Sequence, residues 1–186
     1  MYKICQTEQS SKRQRAIENG FLTLLCKKRY EDISISDLCA YLDIPRKTFY
    51  RYFSSKDGAL YALLDHTMMD FQLEENHAAP RIQSAPGDLE RFFSFWYNHA
   101  SLLDALERSG LSGILVERAT TFALREKMMP RYMLSWDASY QSIALSFAIC
   151  GLLSMVIQWH HQRFPHTPQE MTRIATTMLT RPLLQI

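Results

Sequence analysis

Basic and hydroxyl-bearing side chains are concentrated between positions 46 and 56 of this 186-residue chain. Arginine can donate two hydrogen bonds to a guanine edge, and threonine can bond a base or a phosphate. Lysine and tyrosine can bind phosphate oxygens. The chemistry that these residue types share is recognition of a polyanion. The residues concerned are Arg46, Lys47, Thr48, Tyr50, Arg51, Tyr52 and Lys56.

Two short helices are expected to position these side chains. Ser34 and Asp37 have the spacing of an acidic capping box, which predicts the start of the first helix and leaves backbone N–H groups there as an anion site. The sequence Asp43-Ile44-Pro45 should end it, because Asp tolerates the left-handed conformation and Pro cannot continue a helix. The second helix is predicted over 46–53.

The buried face of that second helix should contain Phe49 and Phe53, which are one turn apart. The polar residues around them would then point outward. Two helices with a three-residue break are typical of a helix-turn-helix unit, whose second helix enters the major groove of DNA. Helix pairs with outward basic residues also occur in proteins that bind no nucleic acid, so spacing alone leaves a plain helical bundle as an alternative.

The segment 33–60 strongly resembles the DNA-binding segment of the tetracycline-repressor (TetR/AcrR) family of bacterial transcriptional regulators. The most specific part is Thr48-Phe49-Tyr50-Arg51-Tyr52-Phe53, followed by Lys56 and Leu60. The resemblance implies an all-α protein, with a three-helix helix-turn-helix domain over 1–58 and a helical effector-binding and dimerisation domain over 59–186. It also implies a non-enzymatic, cytoplasmic regulator, most simply a repressor, that binds a palindromic operator in double-stranded DNA as a homodimer.

Matched position by position, the resemblance makes 46–53 the recognition helix and Lys56 the phosphate-binding lysine. Its DNA-facing positions fall on Arg46, Lys47, Thr48, Tyr50 and Tyr52. Lys12 and Arg13 are weaker candidates for contacts with the DNA backbone. Arg29 and Asp43 stand where many members have Gly, and Pro45 replaces the usual hydroxyl cap, which affects the operator that is read.

Helical periodicity extends along nearly the whole chain. We predict a first helix over 11–28, with Ile17, Phe21, Leu24 and Leu25 on its buried face. Ser54 and Asp57 predict the start of a long helix that runs to about residue 76. After a loop over 77–87, we expect helices over 88–107, 111–128 and 136–162. A last helix should begin at Thr167, where Glu170 completes a capping box.

The last two helices are the expected dimer interface. The stretch 138–162 contains no Asp, Glu, Lys or Arg, but its strongly apolar part is only about 15 residues, whereas a membrane span needs about 20. We therefore expect no membrane association, and burial against a partner or in the core of a monomer. The apolar residues concerned are Ile143, Phe147, Leu152, Val156, Ile174 and Met178.

A small-molecule effector pocket is the second expectation for the body. Aromatic side chains with polar tips give flat contact area together with hydrogen bonds. An alternative is a DNA-binding accessory protein whose body binds another protein and no small molecule. The preferred lining residues are Trp96, Tyr97, His99, Tyr132, Trp136 and Tyr140.

Composition and motifs exclude several other classes. Residues 1–60 carry 11 Lys and Arg against 7 Asp and Glu, whereas residues 61–186 carry 10 against 12. The four cysteines are far apart, which argues against a zinc ribbon or a disulfide framework. His160 and His161 point about 100° apart on a helix and rarely share one metal ion. No nucleophile, metalloprotease or phosphate-loop motif is present, so we expect no catalytic residues, metal or cofactor.

Overall fold

The computed structural model describes residues 1–77, 85–128 and 135–180. It confirms the all-α prediction, since the described residues form α-helices, one short 3-10 turn at Tyr30–Asp32 and no extended strand. The helices are α1 (Glu8–Leu25), α2 (Ile35–Tyr41), α3 (Arg46–Tyr52), α4 (Lys56–His77), α5 (Ala85–Asn98), α6 (Ala100–Arg108), α7 (Ser112–Arg125), α8 (Ala138–His161) and α9 (Pro168–Thr180).

The chain divides into two packing units. The first contains Met1–Met69 and Asp104–Phe122, and the second contains Asp70–Leu103 together with the chain from Ala123 onward. The predicted functional boundary after residue 58 falls inside α4, and the first packing unit continues eleven residues beyond it. Assignment of DNA binding to 1–58 and of effector binding to 59–186 remains a prediction.

Side-chain caps explain where several helices begin. The Ser34–Asp37 capping box is confirmed at α2, and the Thr167–Glu170 box is confirmed at α9. The Ser54–Asp57 prediction was wrong by one residue, because the Ser55 hydroxyl accepts a hydrogen bond from the Gly58 amide at 3.0 Å. At α1 the cap is Thr7, so this helix starts three residues earlier than expected.

The predicted apolar face of α1 is confirmed, since Ile17, Phe21, Leu24 and Leu25 are all buried in the first unit. α1 and α2 approach closely at Gly20, where an added Cβ would lie 2.3 Å from a methyl carbon of Leu42. The small residue therefore permits the contact that holds the two helices together.

The core of the second unit is rich in aromatic rings. α5 packs against α9, and Phe93 of α5 makes an edge contact of 5.9 Å between ring centroids with Trp159 of α8. The predicted single helix over 88–107 was wrong. Two helices form instead, with His99 between them, and its Nδ1 lies 2.8 Å from the Phe95 carbonyl oxygen.

α8 exposes much of its apolar surface. Ile143 and Phe147 are 67% and 73% exposed, and Ile174 and Met178 of α9 are also exposed. Val156 was predicted for the interface, but it lies in the core of the second unit because it is on the inward face of α8. Among the described helices, only α8 is long and apolar enough to cross a membrane, with a mean hydropathy of 1.8 over 18 residues.

Candidate nucleic-acid interface

The turn that orients α3 forms as the sequence predicts. Asp43 adopts a left-handed conformation with φ of 49°, and the Ile44 amide donates to the Cys39 carbonyl at 3.0 Å. Pro45 then precedes the first helical residue, and its carbonyl accepts a hydrogen bond from the Thr48 amide at 2.8 Å. Asp43 and Pro45 depart from the commoner family residues, yet both fit the local backbone.

Two phenylalanines anchor α3 in the first unit. Phe49 and Phe53 are fully buried, with 5.2 Å between their ring centroids. Because they fix the inner face, the helix presents its polar residues on the other side, where Thr48 is partly exposed. The exposed polar residues are Arg46, Lys47, Tyr50 and Arg51, as predicted.

Arg46 and Tyr50 are neighbours on this exposed face, one helical turn apart. The Arg46 guanidinium lies 6.0 Å from the centre of the Tyr50 ring, and its Nη2 is 3.5 Å from the Tyr50 hydroxyl oxygen. A hydrogen bond of this length is weak. The guanidinium is thus loosely held and can exchange this contact for a base edge or a phosphate.

Tyr52 does not belong to the exposed face. Its side chain is only 4% exposed, so the prediction that its hydroxyl faces DNA was wrong. The reason is helical spacing, because Tyr52 follows Phe49 by three residues and therefore shares its inward stripe. Its ring packs against Phe53, with 6.2 Å between the centroids.

Lys56 has a structural role that its position in the sequence does not reveal. Its Nζ donates to the carbonyl oxygens of Tyr30 and Ile33 at 2.7 and 2.8 Å, and lies 4.1 Å from the centre of the Tyr30 ring. The Tyr30 hydroxyl in turn donates to Asp57. Burial and this hydrogen bond raise the pKa of the Tyr30 hydroxyl above its usual range. An ammonium has three N–H donors, so one is left for a phosphate and DNA binding by Lys56 stays a prediction.

Ser34 forms a capping box with Asp37 at the start of α2. Its hydroxyl and its amide are both hydrogen-bonded to Asp37, and the Asp37 amide donates to the Ser34 hydroxyl at 3.0 Å. These bonds from Ser34 hold the pKa of the Asp37 carboxyl below its ordinary value. A carboxylate therefore already lies at this helix end, and the binding of a further anion by the remaining backbone N–H groups stays a prediction.

An open basic cleft lies beside α3 and was not predicted from the sequence. It has a volume of about 520 Å³ and is lined by Lys3, Arg13 and Arg51 together with uncharged residues of the segment 4–10 and Tyr52. Arg51 and Arg13 were recognised separately, but nothing in the sequence indicates that Lys3 lies beside them. We call this feature the basic cleft.

The fold matches that of known transcriptional regulators, although no family model and no curated protein matches the sequence. The TetR family repressor AlkX from Dietzia sp. strain DQ12-45-1b aligns with a TM-score of 0.58 at 20% identity, over 89% of this chain and 92% of that one. A TetR transcriptional regulator from Streptococcus agalactiae aligns with a TM-score of 0.64 at 19% identity, over 93% and 96%. The fatty acid degradation regulator FadR from Bacillus halodurans gives 0.67 at 12% identity, over 92% and 96%.

The chain has the TetR-family fold. In this fold, α2 and α3 correspond to the helix-turn-helix unit, and α3 takes the position of its second helix. Of the α3 positions that the resemblance assigns to DNA contact, Arg46, Lys47 and Tyr50 are exposed, Thr48 is partly exposed and Tyr52 is buried.

The residues predicted for a TetR-type effector pocket lie in different environments. Trp96 is buried and His99 stacks on Phe95 at 4.0 Å between centroids. Tyr97 is exposed on one side and stacks on Trp159 at 5.8 Å. Trp136, which precedes α8, and Tyr140, in the first turn of α8, are exposed, and Tyr132 lies outside the described residues.

Proposed function

We propose that this protein is a DNA-binding transcriptional regulator of the TetR/AcrR type, most simply a repressor that binds a palindromic operator. The observation that carries the proposal is the outer face of α3. It presents Arg46, Lys47 and Arg51 to solvent while Phe49 and Phe53 hold the helix in the core. A rigidly anchored helix with outward cations is what major-groove recognition needs.

The charges on this face also favour a polyanionic partner. Within the part of the chain that the structure describes, Arg46, Lys47 and Arg51 have no carboxylate within ion-pair distance. Phosphate contacts by such cations release condensed counterions from DNA and supply sequence-independent affinity. Arg46 stands first on the helix, where a side chain reaches base edges, so we assign it the main role in sequence readout.

A homodimer would place two such helices on one operator. Half-sites one helical turn apart require two recognition helices related by a two-fold axis. The exposed apolar residues of α8 and α9 support self-association, because a C2 interface buries the same surface on both copies. Ile143 and Phe147 on α8, with Ile174 and Met178 on α9, are the proposed contacts.

Burial against a second copy also accounts for the apolar character of α8 without a membrane. The helix carries Gln158 and His161 on its exposed side near the C-terminal end, and both side chains prefer water to lipid. We accordingly propose a cytoplasmic protein. No catalytic residue is proposed.

We further propose that a small apolar or amphipathic effector modulates DNA binding through the second unit. Trp96 and Tyr97 of α5, and His99 directly after this helix, are aromatic side chains that combine apolar area with a polar group. The names of FadR and AlkX refer to fatty acid degradation and n-alkane biodegradation, which supports an apolar ligand class. Such an effector must bind two conformations unequally to change DNA affinity.

A protein partner in place of an effector is the alternative, and thermal-shift measurements separate the two. A ligand that binds the folded state raises the melting temperature with its concentration. Fatty acids, alkylated amines and planar cations are suitable probes. A rise with one of these compounds supports an effector pocket, whereas capture of a defined protein partner without any such rise supports the alternative.

The test of DNA binding is selection of genomic fragments by the full chain, followed by affinity measurements on the selected duplex. Arg46→Ala should cost about 1–3 kcal/mol and relax the preference at one base pair of each half-site. Arg125→Ala is the matched control, because Arg125 is an exposed arginine that lies outside α3. Unchanged specific affinity after Arg46→Ala at both low and high salt would show that α3 is not the reading surface.

A further inference from the structure

The N-terminal segment of the chain is bound to the C-terminal end of α3. Tyr2 forms a backbone bridge with Phe53, and the Lys3 amide donates to the Tyr52 carbonyl at 2.9 Å. The Met1 carbonyl accepts from the Ser54 amide at 3.1 Å. These bonds attach residues 1–3 to the end of the recognition helix by their backbone, so Lys3 has a defined place beside α3.

Side-chain contacts hold this segment in the same place. The Tyr2 hydroxyl donates to Oδ2 of Asp65 at 2.7 Å, and the Tyr2 ring meets the His66 ring edge-on at 5.7 Å. The Met1 carbonyl lies so close to α4 that an added Cβ on Gly58 would be 2.4 Å from its oxygen. Glycine at position 58 therefore permits the segment to lie against the start of α4.

The basic cleft forms where this segment, the first turns of α1 and α3 meet. Lys3, Arg13 and Arg51 line it, and no acidic side chain is among its lining residues. All three cations are exposed, and none has an ion-pair partner within the described ranges 1–77, 85–128 and 135–180. The adjacent Lys12 differs, because it points to Glu8 and pairs with it at 2.6 Å.

We propose that the basic cleft binds a phosphodiester group of the DNA backbone next to the bases that α3 reads. This inference rests on the proposed function. Arg51 belongs both to the exposed face of α3 and to the cleft, so the two surfaces are continuous. Three unpaired cations around an open cleft suit a group that carries one full negative charge and has accessible oxygens. The cleft would thus add Lys3 to the DNA-binding residues, place it with Arg13, which the resemblance already makes a candidate, and fix the register of α3 in the groove.

The experiment compares the full-length wild type with Lys3→Gln/Arg13→Gln and with the control Lys127→Gln, a substitution of an exposed lysine that lies outside α3 and outside the cleft. Affinity for the selected duplex is measured by fluorescence anisotropy between 50 and 200 mM salt. Each lost phosphate contact lowers the slope of log affinity against log salt by about 0.9, so a dimer with two clefts should lose about 2. For Lys3→Gln/Arg13→Gln we expect roughly tenfold weaker binding at 100 mM salt with unchanged base preference, and for Lys127→Gln we expect wild-type behaviour.

A second measurement guards against an indirect effect of the substitutions. Lys3→Glu/Arg13→Glu should weaken binding further, while circular dichroism and the melting temperature stay at wild-type values because both side chains are exposed. Shortening the duplex at both ends removes the phosphates that would reach the clefts. This change should weaken DNA binding by the wild type but not by Lys3→Gln/Arg13→Gln.

Three outcomes would overturn the proposal. If both double variants bind DNA as Lys127→Gln does while Arg46→Ala loses specificity, the cleft is not a DNA contact and the proposed function stands. If inorganic phosphate raises the melting temperature of the wild type only, and the salt slope for DNA does not change, the cleft is a site for free anions. If the wild type selects no genomic fragment over random DNA, the cleft proposal and the proposed function both fail.

Discussion

Arg118 of α7 forms a bidentate ion pair with Asp65 of α4. Its Nε donates to Oδ1 of the carboxylate at 2.9 Å, and a second guanidinium nitrogen bonds Oδ2. The Asp65 side chain is buried, and its Oδ2 also accepts the Tyr2 hydroxyl. The guanidinium lies 4.9 Å from the centre of the Tyr61 ring. This buried carboxylate therefore joins α7, α4 and the N-terminal segment within the first unit.

Removal of the arginine should destabilise the protein strongly. Arg118→Met leaves a buried carboxylate without its counter-ion, which typically costs 3–5 kcal/mol, so we expect the free energy of unfolding to fall by about 3 kcal/mol. Urea denaturation followed by circular dichroism measures this change. Asp65→Asn in the same chain should recover part of the loss, because it removes the uncompensated charge.

The matched control is Arg125→Met on the same helix. Arg125 pairs with Glu126 at 2.8 Å, but both side chains are largely exposed, so the change should be below about 1 kcal/mol. Equal losses for the two arginine variants would show that the Asp65 contact has no special role in stability.

A second prediction concerns Lys56. Lys56→Met removes two charge-assisted hydrogen bonds to the carbonyls of Tyr30 and Ile33, and we expect the free energy of unfolding to fall by about 1–2 kcal/mol. Lys47→Met is the control, because Lys47 is exposed on α3 and should change stability by less than about 0.5 kcal/mol. Thermal and urea denaturation of both variants test this.

The DNA affinities of Lys56→Met and Lys47→Met distinguish the structural role of Lys56 from its predicted contact with a phosphate. If it also binds a phosphate, Lys56→Met weakens binding to all sequences alike and lowers the salt slope by about 1 per site. A fully stable Lys56→Met protein would contradict the structural role that its two carbonyl contacts imply.

The sequence predicted the features that depend on residues close together in the chain, such as helix caps, turn residues and buried helix faces. The capping box at Ser34, the left-handed Asp43 and the inward Phe49 and Phe53 all follow from spacing within about four residues. Tyr52 could have been placed correctly by the same rule, because it is three residues after Phe49. The resemblance assigned it to DNA, and the helical period placed it in the core.

Contacts between distant segments could not be predicted in this way. The Lys56 ammonium meets carbonyls 23 and 26 residues earlier, and backbone groups carry no residue-type signal. The basic cleft depends on Lys3 being fixed by a backbone bond to Tyr52. The break at His99 interrupts an apolar pattern that continues in register on both sides, so periodicity alone predicted one helix.

A third prediction is loss of stability in acid. Hydrogen bonds from Ser34, Ser139 and Thr167 lower the pKa values of Asp37, Asp137 and Glu170. A carboxyl group whose pKa is lower in the folded state stabilises the protein above its unfolded pKa, and this contribution is lost as the pH falls through the folded pKa. The urea midpoint should therefore be flat near neutrality and fall as the pH drops below about 4.

Ser34→Ala tests the contribution of one of these three carboxyl groups, that of Asp37. Without the Ser34 hydroxyl the pKa of Asp37 returns toward its ordinary value, so the variant should be less stable than wild type at pH 7 but lose less between pH 5 and pH 2.5. Asp37→Asn should show the same reduced acid sensitivity. Parallel pH profiles of Ser34→Ala and wild type would contradict the assigned cause.

The last prediction concerns Phe147 on the exposed face of α8. This side chain is 73% exposed in the protomer, so Phe147→Glu should leave the melting temperature of an isolated protomer nearly unchanged. In the proposed dimer the same substitution buries a charge in an apolar interface, and we expect dissociation at least a hundredfold easier. Sedimentation velocity across a concentration series measures the dimer–monomer equilibrium.

Gly151 offers an independent test of the same face, since it follows Phe147 by one turn and an added Cβ there meets nothing within 4 Å in the protomer. Gly151→Leu should therefore impair dimerisation by steric conflict with the second copy and not by unfolding. Leu124→Glu is the control, because Leu124 is an exposed apolar residue on a different helix, α7. If Leu124→Glu dissociates the protein and the two α8 variants remain dimers, self-association uses a surface other than α8. In the proposed dimer, operator affinity would depend on two linked α3 helices, so Phe147→Glu should also weaken specific DNA binding in proportion to the loss of dimer.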